Sequence, residues 1–390
     1  MKERLRKELK EIREKGNYRE IRYLKPLSAS RILYNGKEMI NLCSNSYLSL
    51  HNHPDVVTAA HSVIDEYGAG TCSSRSVSGS IDLYALLEKD IALFKGYERA
   101  LMFSNGYMAN IAIVSTLLDD DDTIYSDEFN HSSIIDAIRL SRAEKVIYRH
   151  LDMDDLERRL QTRRGHGQTF IISETVFSMD GDVAPLDRLY ELKRRYGAHL
   201  IIDEAHATGV FGETGRGVEE VYGLSGAMDV QMGTFGKALG SFGAFVLGDP
   251  LILEYLVNRA RTFMYTTALP ASTLAAARAA LQVINHEPAI RKELWDSIAY
   301  VRNSLSSLGF DLQQSQGPIV PIVVGEDAKA VEMQKLLLDK GVFLQAIRPP
   351  TVPTGTSRLR LTIVRGLEQA DIERAIEALA WAGRKVGIIT

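Results

Sequence analysis

The sequence predicts an α/β protein with a large domain on a mainly parallel, seven-stranded sheet covered by helices, and a smaller α+β domain after it. From about Asp55 to Gly248, short apolar runs alternate with segments of helical periodicity, as in βαβ units. The runs are ALMFS, TIYSD, KVIYR, TFIISET, HLIID, VQMGTF and GAFVLG. Because they are apolar almost throughout, they indicate strands that are buried on both faces.

Changes in the pattern of apolar and polar residues along the chain predict an N-terminal helix and arm over residues 1–50, a large domain over 51–284 and a small domain over 285–390. Leu5, Leu9 and Ile12 have the spacing of an amphipathic helix, which we expect to pack on the body of the protein. In the last domain, the runs GPIVPIVVG, VFLQAI and RLRLTIV alternate with helical segments, one of which opens at Asp327 and stops at Gly341.

The overall composition argues against several classes of protein. The 46 basic and 50 acidic residues among 390 give a net charge of -4, too even to indicate a nucleic-acid or membrane surface. The chain has no apolar run of the roughly 20 residues that a membrane span needs. Cys43 and Cys72 lack the spacing of metal ligands, so neither a metal site nor a disulfide framework is predicted, and a cytoplasmic protein is favoured.

Polar residues follow several of the predicted strands, where ligands gather in open α/β sheets. Asp203 and His206 follow HLII, ETVFSMDGD follows TFIIS, and TFGK with Lys237 follows VQMG. SNGYMAN follows ALMF and leads into a helix, whose free N–H groups favour a phosphate. Taken singly, each feature has an ordinary structural explanation: a strand-end aspartate can be an ion pair or a cap, and Ser-Asn-Gly can be just a turn.

Together these residues fit pyridoxal 5'-phosphate, a flat aldehyde with a pyridine nitrogen, a phenolate oxygen and a phosphate. Asp203 is expected beside the pyridine nitrogen, which an anion keeps protonated. His206 is expected at the phenolate oxygen, or as a cap of the following turn. Lys237 is expected to bond the aldehyde and to act as the base at the substrate's alpha carbon, unless it is an ordinary loop lysine. His131, after TIYSD, either stacks on the ring or is a polar residue at a helix start.

Long motifs in a fixed order carry a resemblance to a known family over nearly the whole chain. They are NLCSNSYLSLHNHPDV, GSIDLYALLEKDIALFKGYERALMFSNGYMAN, ETVFSMDGDVAPL, DEAHATGVFGETGRG, TFGKALGSFGA and IRPPTVPTGTSRLRLT. With these motifs the sequence resembles the alpha-oxoamine synthases, which are fold-type I pyridoxal-phosphate enzymes. The last motif resembles the one found in those members that condense L-alanine with a pimeloyl thioester in biotin synthesis. The thioester is that of coenzyme A or of a carrier protein, and the products implied are 8-amino-7-oxononanoate and carbon dioxide.

The resemblance also implies roles for individual residues. It implies cofactor contacts for Gly106, Tyr107, His131, Glu174, Ser178, Asp203, His206, Thr234, Lys237, Thr266 and Thr267. Thr266 and Thr267 would reach the phosphate of a partner subunit, because these enzymes build each site across a homodimer interface. The residues implied on the substrate side are Asn45 and Arg360 for the alanine carboxylate, His131, and Arg22, Arg348 and Thr351 for the acyl group.

Two alternatives remain open from the sequence. A related enzyme could use other substrates: glycine with acetyl-CoA, as in glycine C-acetyltransferase, or serine with a long acyl thioester. A folded but inactive subunit is the other alternative. The presence of Lys237, Asp203, His206 and His131 together disfavours it.

Overall fold

The structure is a computed structural model, and it describes residues 1–14, 18–163 and 166–390. Its strands are β1 (Lys25–Pro26), β2 (Arg31–Tyr34), β3 (Lys37–Asn41), β4 (Arg99–Phe103), β5 (Thr123–Asp127), β6 (Glu144–Tyr148), β7 (Thr169–Glu174), β8 (His199–Asp203), β9 (Val230–Thr234), β10 (Ala244–Gly248), β11 (Ile319–Gly325), β12 (Val342–Phe343), β13 (Ala346–Ile347) and β14 (Ser357–Thr362). Its helices are α1 (Lys2–Glu14), α2 (Pro54–Ser62), α3 (Ile64–Tyr67), α4 (Asp82–Lys95), α5 (Gly106–Leu117), α6 (Ser132–Ser141), α7 (Met153–Gln161), α8 (Leu186–Tyr196), α9 (Val218–Val221), α10 (Pro250–Arg259), α11 (Arg261–Met264), α12 (Ala271–His286), α13 (Ala289–Ser307), α14 (Asp327–Asp339) and α15 (Gln369–Val386).

The chain divides into two compact units. Unit 1 comprises Met1–Tyr47, Met179–Asp182 and Lys292–Thr390, and unit 2 comprises Leu48–Ser178 and Val183–Arg291. The N-terminal arm therefore belongs to the same unit as the C-terminal segment. The domain boundaries that the sequence suggests, after residues 50 and 284, stay predictions.

Unit 2 is built on the seven-stranded sheet, whose order is β4-β10-β9-β8-β7-β5-β6. Neighbours from β9 to β6 are parallel, and β10 is antiparallel to both β4 and β9. All seven predicted strands are present, and the prediction of a mainly parallel sheet is confirmed. Burial on both faces is wrong for β6, where Glu144, Lys145 and Ile147 are exposed. This is the last strand of the sheet, where neighbouring elements cover less of the surface.

A continuous apolar core lies against this sheet. Side chains of α5, such as Ile113 and Val114, pack with Ile124 of β5, Ile172 of β7 and Met232 of β9. All of these side chains are at most 2% exposed. Burial of each large apolar side chain contributes about 1.5–3 kcal/mol relative to exposure, so this cluster holds α5 and the strand ends in place.

The parallel strands bring four polar residues to one edge of the sheet. Asp127, Glu174, Asp203 and Thr234 are the last residues of β5, β7, β8 and β9. Because parallel strands end at the same edge, the side chains that follow them come together there. The predicted site residues of unit 2 lie along this edge.

A buried polar cluster begins at Glu204, the residue directly after Asp203. The Lys95 ammonium donates to Glu204 Oε2 and to the carbonyl of Arg216, and both charged side chains are fully buried. Gln231 Nε2 donates to Glu204 Oε2 at 2.8 Å, and the backbone N–H of Glu219 donates to Glu204 Oε1 at 3.1 Å. We name Lys95, Glu204, Gln231 and Glu219 the buried lysine cluster.

Two further features fit this cluster. Burial raises the pKa of Glu219 to about 8, the Glu204 carboxylate adds to the rise, and Lys95 opposes it. Gly217 has a φ of 114°, and a Cβ there would lie 1.9 Å from Glu204 Oε2. The chain thus needs glycine where the backbone passes over the buried carboxylate.

Unit 1 holds two small sheets. One has the order β1-β2-β3-β12, and the other has the order β11-β14-β13. The run VFLQAI does not form one strand, because β12 pairs in parallel with β3 whereas β13 pairs antiparallel with β14. The predicted helix from Asp327 is α14, which ends at Asp339, two residues before Gly341.

The N-terminal helix α1 forms as its periodicity predicts, but the expectation that it packs on the body is wrong for this chain. None of its residues is buried, and Leu5, Leu9 and Ile12 are 42%, 43% and 39% exposed. Such a narrow, three-residue stripe is too small to hold the helix against a surface by itself. Among the described helices, none combines the length and the apolar character that crossing a membrane requires.

Candidate active site

Asp203 ends β8 with its carboxylate held by two donors. Oδ2 accepts from Asn110 Nδ2 at 2.9 Å, and Oδ1 accepts from the backbone N–H of Ala205 at 2.8 Å. The residue is only 6% exposed. Its carboxylate therefore has one fixed orientation at the edge of the sheet, as a group that positions a ligand requires.

Glu174 lies directly beside Asp203, since the two residues are register partners on β7 and β8. Burial raises the pKa of the Glu174 carboxyl well above its usual range, the Asp203 carboxylate adds to the rise, and the Lys237 ammonium opposes it. The carboxyl is therefore biased toward its protonated form. Its Oε1 is buried and has no hydrogen-bond partner within the described part of the chain.

His131 caps the N-terminus of α6. Its Nδ1 accepts from the backbone N–H of Ser133 at 3.2 Å and lies 2.8 Å from Ser133 Oγ. Although the residue is partly open to solvent, partial burial of the ring lowers the pKa of His131; Asp203 raises it and Lys237 lowers it further. Both the helix-start interpretation and a role beside the cofactor are compatible with this position.

Lys237 lies in a tight loop between β9 and β10. Its carbonyl accepts from Gly240 N at 2.9 Å, and Phe235 N donates to Gly243 O at 3.0 Å. Thr234 Oγ1 accepts from Gly236 N at 3.1 Å and donates to Gly243 O at 2.8 Å, which closes the loop on the strand end. The charge of the Lys237 ammonium lowers the pKa of both His131 and Glu174.

The N-terminus of α5 offers backbone donors. Asn105 caps the helix, its Oδ1 accepting from Met108 N at 3.0 Å, and its carbonyl accepts from Ala109 N at 3.1 Å. Of the first four N–H groups, those of Gly106 and Tyr107 are then left without a hydrogen bond to another described residue. Two adjacent N–H groups at a helix N-terminus suit a phosphate.

Other predicted cofactor residues lie around this framework. His206 is 6% exposed, in the turn after β8, and Ser178 is half-buried in the loop after β7. Thr267 and Thr266 adjoin the α5 turn of the same chain: Thr267 O accepts from Ser104 Oγ at 3.2 Å, and Thr266 Oγ1 lies 3.7 Å from Met108 Sδ. Their predicted reach to the phosphate of a partner subunit stays a prediction.

In unit 1, the two residues predicted to hold the amino-acid carboxylate contact each other. Both Nη1 and Nη2 of Arg360 donate to Asn45 Oδ1 at 3.2 Å, and Nη1 also donates to Thr362 Oγ1 at 3.0 Å. Arg360 is 9% exposed. The planar guanidinium has the geometry that suits a carboxylate.

The residues predicted on the acyl side also belong to unit 1. Thr351 N donates to the carbonyl of Arg348 at 3.0 Å, which closes a turn, and Arg19 Nη2 donates to Thr351 Oγ1 at 3.1 Å. The Arg22 guanidinium carbon lies 6.0 Å from the Tyr34 ring centroid. Arg22 Nη1 is buried and has no hydrogen-bond partner among the described residues.

Comparison with known proteins reveals the family. The model of the aminotransferase class I and II family matches residues 37–379. An 8-amino-7-oxononanoate synthase of Geobacter sulfurreducens is 47% identical over 384 residues, which are 98% of each chain. One of Lysinibacillus sphaericus is 41% identical over 389 residues, covering both chains fully. The chain therefore belongs to the aminotransferase class I and II family, as one of its alpha-oxoamine synthases.

Solved structures of similar synthases agree with this membership. Serine palmitoyltransferase from S. paucimobilis, with bound PLP and myriocin, has a TM-score of 0.93 at 31% identity, covering 99% of this chain and 98% of that one. The 8-amino-7-oxononanoate synthase of Francisella tularensis has a TM-score of 0.77 at 30% identity, covering 89% and 98%. The predictions of a fold-type I synthase, of an acyltransferase and of dependence on pyridoxal phosphate are confirmed.

The residues present in this synthase fit pyridoxal phosphate. The N–H groups of Gly106 and Tyr107 provide donors for a phosphate. The orphaned Glu174 Oε1 is a buried polar atom that lacks a partner among the described residues, and a polar ligand would supply one. Asp203 adds an oriented carboxylate for a ring nitrogen, and Lys237 adds an amine on the tight loop after β9.

Two buried residues at this site were missed in the sequence. Asn110 and Ser133 are each 1% exposed, and Asn110 Nδ2 lies 2.9 Å from both Ser133 Oγ and Asp203 Oδ2. A signal for Asn110 was available, because an asparagine inside the otherwise apolar helix MANIAIV needs a polar partner when buried. No comparable signal marks Ser133, which resembles any serine at a helix start.

Proposed function

We propose that this synthase condenses L-alanine with a pimeloyl thioester to give 8-amino-7-oxononanoate, carbon dioxide and the free thiol carrier, in biotin biosynthesis. The observation that carries the proposal is full-length similarity to synthases of that name, at 47% identity over 384 residues. The buried cation of Arg360, which suits an amino-acid carboxylate, supports an amino-acid substrate.

A second candidate uses serine and a long acyl thioester. It is favoured by the TM-score of 0.93 to serine palmitoyltransferase, against 0.77 to the synthase of Francisella tularensis. Sequence identity favours the first candidate, since it is 47% to a curated 8-amino-7-oxononanoate synthase and 31% to the serine enzyme. Substrate choice depends on a few side chains rather than on backbone similarity, so we give identity the greater weight.

The cofactor pyridoxal phosphate, when bound, supplies an electron-withdrawing ring that stabilises negative charge at the alpha carbon of the amino acid. Asp203 would hold the pyridine nitrogen, and the N–H groups of Gly106 and Tyr107, with Thr234 and Ser178, would hold the phosphate end. His206 would donate to the phenolate oxygen, and His131 would lie against the ring. Thr266 and Thr267 would complete the phosphate site of the partner in a homodimer.

Lys237 has two proposed tasks. Its amine would hold the cofactor through the aldehyde, and as a base it would take the proton from the alpha carbon of the amino acid. The tight loop of backbone hydrogen bonds from Phe235 to Gly243 supports this role, because a base must be held within reach of the proton that it removes.

The remaining residues are proposed to select the two substrates. Arg360 and Asn45 would hold the alanine carboxylate through the planar guanidinium. Arg22 would bind the far carboxylate of the pimeloyl chain, which is supported by its buried Nη1 without a partner among the described residues. Arg348 and Thr351 would contact the thioester carrier, either coenzyme A or a carrier protein. We place the enzyme in the cytoplasm on the grounds of its composition and its thiols.

Steady-state turnover of the holoenzyme with each amino acid and each thioester tests this proposal. We expect kcat/KM for alanine with pimeloyl-CoA to exceed that for glycine with acetyl-CoA and for serine with palmitoyl-CoA by about a hundredfold or more, because a fitted pocket distinguishes both substrates at once. The pimeloyl thioesters of coenzyme A and of a carrier protein are offered in parallel. If kcat/KM with serine or with glycine exceeds that with alanine by a similar factor, the assignment is contradicted.

A further inference from the structure

A continuous line of hydrogen bonds joins Asp203 to His131 through two side chains without an assigned role. Asn110 Nδ2 donates to Asp203 Oδ2 at 2.9 Å and to Ser133 Oγ at 2.9 Å. Ser133 Oγ lies 2.8 Å from His131 Nδ1. Asn110 and Ser133 are each 1% exposed, so water does not compete for the two bonds that Asn110 donates.

The direction of the hydrogen bonds follows from the charge of Asp203. An amide oxygen facing the carboxylate would place two acceptors together, so the asparagine must present its NH₂ group to Asp203. That group has two hydrogens, and the second is directed to Ser133 Oγ. The orientation of Asn110 is thereby fixed by the carboxylate at the end of β8.

The direction continues through Ser133 to the imidazole. Nδ1 accepts from the backbone N–H of Ser133 at 3.2 Å, and a backbone N–H can only donate, so Nδ1 is an acceptor on this side. The Ser133 hydroxyl, which accepts a hydrogen from Asn110, therefore donates its own hydrogen to Nδ1. An Nδ1 that accepts two hydrogens carries none, and a neutral imidazole must then carry its hydrogen on Nε2.

We propose that Asn110 and Ser133 are positioning residues that carry the orientation of the Asp203 carboxylate to His131 and hold its ring in the neutral form with hydrogen on Nε2. The ring offers a ligand one donor, Nε2–H, and it suits an oxygen acceptor such as a substrate carboxylate. The inference rests on the proposed role of His131 and Asp203 beside the cofactor.

Other charged groups also act on the ring. The Asp203 carboxylate favours a protonated imidazole, while the Lys237 ammonium and partial burial lower the pKa of His131. The backbone of His131 lowers the pKa of the Glu174 carboxyl, and the Tyr107 ring lies edge-on to the imidazole at 6.5 Å between centroids. Two donors of Ser133, its hydroxyl and its backbone N–H, face Nδ1 and keep hydrogen off it, and Asn110 orients the hydroxyl.

Nitrogen NMR of the holoenzyme with ¹⁵N-labelled histidine tests the inference without using turnover. His131→Gln identifies the signals of His131 among those of the 9 histidines. In the unsubstituted enzyme at neutral pH we expect an unprotonated Nδ1 and a protonated Nε2. Ser133→Ala removes the hydroxyl that donates to His131 Nδ1, and Asn110→Ala frees Ser133 Oγ to accept instead. Both changes favour the protonated imidazole, so both raise the midpoint of the His131 titration by about 0.5–1 pH unit.

Ser132→Ala is the matched control, since Ser132 is exposed and adjoins Ser133 on α6; it leaves tautomer and midpoint unchanged. Ser133→Ala removes a single oxygen, so it keeps the test available if Asn110→Ala does not fold. A protonated Nδ1 in the unsubstituted enzyme overturns the inference, as does an unchanged midpoint in Ser133→Ala. The same spectra are recorded for the cofactor-free protein with no substrate added. Because they need no turnover, they test the His131 tautomer even if the proposed substrates are wrong.

Discussion

Replacing Lys237 with alanine is expected to lower the turnover of the holoenzyme by about a thousandfold or more. The substitution removes the amine that takes the proton from the alpha carbon, and proton transfer by a positioned side chain contributes about 10²–10⁴-fold by itself. Single-turnover measurements with saturating alanine and pimeloyl-CoA report the loss directly. A small primary amine added to the solution is expected to restore part of the lost rate.

The control for this change is Lys335→Ala, because Lys335 is exposed on α14. It is expected to retain full turnover. Both variants must show the same thermal unfolding midpoint as the unsubstituted enzyme, since the Lys237 loop is held by backbone bonds that the alanine keeps. Turnover of Lys237→Ala within about tenfold of the unsubstituted enzyme would remove the lysine from the chemistry.

Replacing Lys95 with methionine is expected to produce the largest loss of stability, about 3–5 kcal/mol, because it leaves the Glu204 carboxylate buried without its cation. Lys95 and Glu204 are both fully buried, and the Glu204 carboxylate lies close enough to Glu219 to raise its pKa. The thermal unfolding midpoint, compared at one heating rate, is expected to fall by several degrees. Because Glu204 adjoins Asp203, cofactor affinity is expected to fall as well.

The double variant Lys95→Met with Glu204→Gln distinguishes a charge effect from a packing effect. A neutral amide at position 204 has no charge to compensate, so the double variant is expected to regain much of the lost stability. If Lys95→Met alone leaves the unfolding midpoint unchanged, the buried lysine cluster does not stabilise the sheet edge. If the double variant is no better than the single one, the loss arises from packing.

The strands of the large sheet were predictable because each is a local apolar run bounded by polar turns. HLIID, for example, became β8 with Asp203 as its last residue. The division of VFLQAI was not predictable, because β12 and β13 pair with strands that are remote in sequence, β3 and β14. Exposure of β6 likewise depends on its place at the end of the sheet, which the run KVIYR does not encode.

The site was predictable to the extent that parallel strands bring their ends together. Glu174 and Asp203 needed only their positions after two apolar runs. Asn110 and Ser133 were missed because their partners depend on how α5 and α6 lie against β8. The bond from Asn110 to Asp203 joins residues 93 positions apart. Such contacts are set by packing, which a single sequence reports only through an unexplained polar residue in an apolar helix.

The most direct test of the central claim is to reduce the purified holoenzyme with borohydride, digest it and locate the pyridoxyl group by mass spectrometry. The reagent fixes the cofactor on the nitrogen to which it is bonded. We predict one labelled peptide, which contains Lys237, and no label in Lys237→Ala. A label on a different lysine, or no label on any peptide of a protein with full activity, would contradict the account.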